Sequence, residues 1–273
     1  MKNIRYLRAL SQLQAHPNHL VTPSPWPIFA AFSVGGVLFS IVMCSHNYIG
    51  NSNIIFVNIL CLAYSMSLWG RDIISEATFL GFHTKKVRRG LHIGYLLFIV
   101  SEAMFFLGLF WAYFHSSLSP NIEIGAMWPP LSITAIGPLE LPLLNTIILL
   151  SSGATITYSH HALISGNYYG SFYSLAITVL LAIIFTICQY FEYRYATYTI
   201  ADSVYGSCFY SLTGLHMWHI VTGTIFLSLS LWRIYIYHYT SQHHVGYETT
   251  ILLWHFLDVV WLLLYVVLYW WGT

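Results

Sequence analysis

Seven long apolar runs lie along the chain, separated by polar breaks. The runs extend from about Ile28 to His46, Ile54 to Ser75, His92 to His115, Leu139 to Leu163, Ser171 to Tyr195, Ser203 to Tyr237 and His244 to Trp271. Each has close to the ~20 residues that a helix needs to cross a bilayer's hydrocarbon layer, or more. Strands are far shorter, so the pattern predicts an all-α polytopic membrane protein with seven transmembrane helices. The breaks carry their own signals. His16 to Pro27, HPNHLVTPSPWP, holds four prolines and is not helical throughout, and Trp26 marks a membrane interface just before the first run. Asn47 to Asn53 and Gly166 to Gly170 read as turns. Ser116 to Pro138, with Pro120, Pro129, Pro130 and Pro138, reads as a long loop.

Composition sharpens this picture. The chain is 57% apolar and only 7% charged, against about 25% for a soluble domain. The net charge of +1 points to no nucleic-acid partner, and no glycine-rich phosphate loop is present. Cys44, Cys61, Cys188 and Cys208 lie in apolar runs without CxxC spacing, which argues against a disulfide framework or zinc site. The expected organisation is a basic amino-terminal arm with a proline-rich lead-in, 1–27, then one membrane domain, 28–273. The arm holds Lys2, Arg5 and Arg8 without an acid, as a transit peptide would, and is read as retained. With seven spans, Lys2, Arg5, Arg8, Arg71, Lys85, Lys86, Arg88, Arg89 and Arg233 collect on one side and Arg194 alone on the other. This asymmetry places the amino terminus in the cytoplasm or, in a mitochondrion, the matrix.

Charge inside a span is rarer and more telling. Glu102 sits in FIVSEAMFF, within a run from His92 to His115 that has no other acidic or basic residue besides its terminal histidines. On a helix it lies about 25 Å beyond the cluster Lys85, Lys86, Arg88 and Arg89, deep in the apolar layer. Tyr95, Ile99, Phe106, Leu109 and Tyr113 share its face. An acid there marks a functional site, or a neutral acid hydrogen-bonded to a neighbouring helix, and the pattern alone leaves both open.

Other candidates are weaker. His216 and His219 are three apart and share a helix face, and His160–His161 and His243–His244 are adjacent pairs. Adjacent helical side chains point about 100° apart, so a pair does not chelate one ion unaided, and no metal ligand is assigned. Trp254–His255 precedes Asp258. No nucleophile elbow or HExxH motif appears, so no catalytic residue is assigned either. A proton path through Glu102 would suit an autonomous proton-conducting transporter, although no half of the chain repeats the other. On the basic side, Arg71, Asp72, Glu76, His83 and Arg233, with Trp69 nearby, suit either lipid headgroups or ordinary interfacial ion pairs. Ser151, Thr155 and Ser159 form a small-residue stripe for close packing in the fourth run.

Taken together, HLVTPSPWP at 19–27, WGRD at 69–72, GFHTKKVRRGL at 81–91, FIVSEAMFFLGLFWAYFHSSLSP at 98–120 and WPP at 128–130 resemble one family. So do PLELPLLNTIILLSSGATITYSHHAL at 138–163, SVYGSCFYSLTGLH at 203–216, HHVGYETT at 243–250 and WHFLDVVWLLLYVVLYWWG at 254–272. The resemblance, from about residue 16 to the carboxyl end, is to the mitochondrial cytochrome c oxidase subunit III family. It implies a two-helix part, about 28–78, splayed from a five-helix part, about 85–271, with lipid in the cleft. It implies a non-redox core subunit of respiratory complex IV, supporting assembly, stability and proton uptake of subunit I, its main partner. Haem a and copper are then expected in partner subunits and structural phospholipids on this chain, in the mitochondrial inner membrane. Glu102 matches the family's buried carboxylate, and Arg71, Glu76, His83 and Arg233 are expected to bind lipid. Gly70 departs from the pattern, since relatives often carry a bulky aromatic there.

Overall fold

Pro25 and Pro27 begin the first helix, where a proline's missing amide donor costs nothing and its fixed φ suits the helical turn. In the computed structural model, which describes residues 17–46, 51–131 and 133–272, this helix is α1, Trp26–Ser45. There follow α2, Asn51–Thr78, α3, Lys85–Leu118, α4, Leu141–Ile164, α5, Tyr168–Tyr195, α6, Ser203–Tyr235, and α7, Val245–Leu264. A π-helical segment, Tyr265–Trp270, continues α7. All seven are long and apolar enough to cross a membrane. The described residues contain no strand, only an isolated bridge between Thr240 and His243. The basic arm, with Lys2, Arg5 and Arg8, lies outside the described residues, as do 47–50 of the turn after α1.

Helix boundaries follow local chemistry. Asn167 caps α5 by accepting from the Gly170 amide, so the helix begins at Tyr168 and absorbs Gly170, which the sequence places in a turn. Gly166, at φ +78°, makes the reversal after α4. Of the prolyl segment, residues 116–118 complete α3, and among its other described residues Ile122–Ile124 forms a short 3-10 turn.

The chain divides into two compact units, Met1–Leu91 and His92–Thr273. In the first, α1 and α2 pack through Asn58. Its side chain covers Gly36, where a Cβ would meet the Asn58 Oδ1 at 2.6 Å, and donates to the buried Ser40 hydroxyl at 3.3 Å. In the second unit α7 is central, with Tyr247, Trp254, Leu257, Trp261 and Leu264 fully buried. Its polar edges find hydroxyl acceptors on α4: Trp254 Nε1 donates to Ser152 Oγ and Trp261 Nε1 to Thr146 Oγ1, both at 2.9 Å. Tyr247 donates to Ser159 Oγ at 2.7 Å. These bonds let bulky amphipathic rings pack in a layer that has no water to satisfy them. Of the expected stripe, Thr155 reaches Thr178 on α5 and Ser159 donates to the Ser171 carbonyl, whereas Ser151 is exposed and bonds back to Ile148. Ser152, one residue on, takes the buried place.

Candidate functional site

The face of α3 that carries Glu102 is its buried face. Ile99, Phe106 and Tyr113 are buried, with Tyr95 and Leu109 packed against the same core. Glu102 is not a lone acid there. Its Oε2 lies 2.9 Å from His219 Nε2 on α6, with side chains 21% and 12% exposed. The His219 Nδ1 is 2.8 Å from the Leu215 carbonyl, which only accepts, so that nitrogen carries a proton and donates. Nε2 then either accepts a proton shared by Glu102 or holds a second proton bonded to a carboxylate. Phe106, whose ring centroid is 5.6 Å from that of His219, helps screen the pair. His216, the other histidine of this face, is fully buried and bonds the Leu257 carbonyl at 3.2 Å.

The lipid-headgroup candidates of the first unit separate into two neighbouring groups. Arg71 Nη2 bonds Asp72 Oδ1 at 2.8 Å, both exposed, while the Trp26 indole donates to Asp72 Oδ2. Glu76 Oε2 lies 3.7 Å from His19 Nε2, and His83 completes a group whose donor atoms lie within 4.8 Å of one another. Between them opens a cavity of about 340 Å³, lined among others by Trp26, Trp69, Asp72 and Glu76. Two acids with an aromatic wall fit an ammonium group better than a phosphate. A Cβ at Gly70 would meet nothing within 4 Å. In the second unit Arg233 is oriented by Tyr239: Nη1 donates to the hydroxyl at 3.0 Å and the guanidinium sits 4.2 Å from the ring centroid. Burial raises the pKa of the Tyr239 hydroxyl, with Arg233 pulling the other way.

Two further buried acids belong to the second unit. Glu192, at 2% exposed, accepts from Gln189 Nε2 at 3.0 Å and from the Tyr269 hydroxyl, while its Oε2 is buried without a hydrogen-bond partner. The sequence reading passed over it. The signal available was Gln189 and Glu192, three apart on one helix face. Asp258, singled out with His255, accepts from His255 Nδ1 at 3.3 Å, and His255 Nε2 meets Thr157 Oγ1 at 3.2 Å. Gly153 makes room for that carboxyl, since a Cβ there would lie 2.6 Å from its Oδ2.

Comparison with known proteins extends over nearly the whole chain. The family model described as cytochrome c oxidase subunit III matches residues 16–273. A protein of Yarrowia lipolytica named cytochrome c oxidase subunit 3 is 55% identical over 264 residues, 97% of this chain and 98% of the relative. Proteins of that name from Lachancea kluyveri and Saccharomyces cerevisiae are 57% and 55% identical over 263 residues. Each alignment covers 96% of this chain and 98% of the relative.

Proposed function

The chain belongs to the cytochrome c oxidase subunit III family, and from this we propose that it is a non-redox core subunit of cytochrome c oxidase, respiratory complex IV. That assembly reduces dioxygen to water with electrons from cytochrome c and pumps protons. On this reading haem a and copper belong to partner subunits. This chain braces subunit I, sustains its proton uptake and binds structural phospholipid in the mitochondrial inner membrane. Its amino terminus faces the matrix and its carboxyl end the intermembrane space.

The observation that carries the proposal is the family match, which runs through all seven spans. The surface of the helices agrees with an embedded subunit. Phe32, Leu97, Trp111 and Trp218 are exposed and apolar, as faces toward lipid or other chains require. The acid-lined cavity by Trp26 and Trp69 supports the lipid role, since Asp72 and Glu76 can accept from a headgroup amine.

Affinity purification of the chain from mild-detergent extracts tests this. A haem–copper complex of defined stoichiometry is expected to travel with it. Recovery of the chain alone, free of haem and able to conduct protons in liposomes, would instead establish the autonomous transporter.

A further inference from the structure

At the end of the second unit where α5 finishes and α4 begins, a cavity of about 220 Å³ opens between the loop ahead of α4 and the last turn of α5. Two acids line it, Glu140 at the N-cap of α4 and the buried Glu192, and among the described residues no base does. Thr134 and Thr197 supply further polar wall, and their hydroxyls bond each other across the two loops. A third element holds the same loop, because the Tyr265 hydroxyl donates to the Pro138 carbonyl at 3.2 Å. The walls of the cavity are therefore tied together.

Glu192 has only one oxygen satisfied. Gln189 Nε2 and the Tyr269 hydroxyl both donate to Oε1. Asn145 Nδ2, 3.5 Å from Gln189 Oε1, fixes which way that amide points. Oε2 is buried and has no partner among the described residues. Neither protonation state removes the deficit: ionised, Oε2 is a buried charge without a counterion, and protonated, it is a donor without an acceptor. Glu140 adds a second carboxyl, folded back over Gly137, where a Cβ would lie 3.3 Å from its Oε1. A water molecule bonded to Oε2 would leave two like charges sharing one small space. A cation answers both the missing bond and the charge.

The donor set selects the ion. Two carboxyls and two hydroxyls are all oxygen, which suits a hard cation and not one of the zinc type. They come from separate elements, and water can complete an irregular shell. Calcium accepts about six to eight oxygens in flexible geometry, whereas magnesium demands a near-ideal octahedron. We propose that Glu140 and Glu192 form a site for one calcium-type divalent cation, completed by the threonine hydroxyls and water. The ion clamps the loop ahead of α4 to the end of α5 and, through Glu192 and Tyr269, to the π-helical end of α7.

The test uses the full chain in nanodiscs of uncharged phosphatidylcholine, titrated with Tb³⁺ as a luminescent calcium probe that nearby tyrosines such as Tyr195 sensitise. The background carries Glu76→Gln and Glu248→Gln, which disable the groupings His19–Glu76–His83 and His160–His244–Glu248. One Tb³⁺ per chain is expected, displaced by Ca²⁺ and not by equal Mg²⁺. Glu140→Gln and Glu192→Gln should each weaken binding by roughly tenfold or more. Glu123→Gln, at an exposed acid in the 3-10 turn outside the cavity, should not change it. Glu140 is exposed, so its variant keeps the core intact and decides the matter even if Glu192→Gln does not fold. Absence of saturable one-to-one Tb³⁺ binding overturns the proposal and leaves water as the partner of Oε2. Binding that survives Glu140→Gln, or that Mg²⁺ displaces as well as Ca²⁺, overturns it equally.

Discussion

Glu102 Oε2 on α3 and His219 Nε2 on α6 stand 2.9 Å apart, 117 residues apart in sequence. The Leu215 carbonyl holds the other ring nitrogen, which fixes the ring with Nε2 toward the carboxyl. Within so apolar a span the acid thus has a hydrogen-bonding partner on a neighbouring helix.

Replacement of the acid should therefore be tolerated when the bond is kept. A glutamine at 102 donates its amide N–H to His219 Nε2, so Glu102→Gln is expected to assemble and retain most oxygen reduction. Glu102→Ala leaves His219 without that partner and should lower stability by about 1–3 kcal/mol. Turnover and the haem content of purified assemblies check both. Complete loss of oxygen reduction in a fully assembled Glu102→Gln protein would make the acid catalytic.

The Glu192 cluster should behave differently, because its partners are buried with it. Glu192→Ala orphans the Tyr269 hydroxyl and the Gln189 amide, and about 2–4 kcal/mol of destabilisation is expected. Tyr269→Phe removes one donor and should cost about 1–2 kcal/mol. The double substitution should fall short of the sum, since the two share one bond. Additive losses in detergent unfolding experiments would show that the bond contributes nothing.

What the sequence disclosed divides along contact range. Glu102 was legible because no other acid shares its run, and its buried face followed from the helical period. The seven spans were legible for the same reason. Glu192 was not, because its neighbour Arg194 makes the EYRY stretch look like an interfacial charge pair. Its hydrogen bond from Tyr269, 77 residues away, lies beyond the reach of any local pattern. The meeting of His160 with His244 is equally invisible to periodicity, which sees each adjacent pair diverging and cannot join α4 to the start of α7. A spacing of four leads from Ser159 through Thr155 to Ser151, whereas Ser152 is the buried one, because α4 packs against α7 as well as α5.

Orientation rests on where the basic residues fall. If the amino terminus faces the matrix, protease added to intact mitoplasts should spare the segment containing Lys2, Arg5 and Arg8 and cut it only after the membrane is opened. Cleavage from the outer face would invert the whole topology, and with it the side on which Arg233 and His244 lie.

The lipid role makes a prediction that separates headgroup binding from simple ion pairing. Arg233 is held by Tyr239 through both the hydroxyl and the ring face, with the guanidinium pre-positioned at the end of α6. A charge-assisted bond from such a group to a phosphate is worth about 1.5–3 kcal/mol. Arg233→Ala should leave the helices intact while lowering the phospholipid that survives purification and shortening the working life of the oxidase during turnover. Tyr239→Phe keeps the ring beneath the guanidinium and should have a smaller effect on both. Glu76→Gln, at the acid-lined cavity of the first unit, should preferentially release lipids with amine headgroups. Lipid mass spectrometry on each purified variant, beside activity followed over many turnovers, reads these effects directly. Unchanged lipid content and lifetime in all three would reduce Arg233 and Glu76 to interfacial ion-pairing groups.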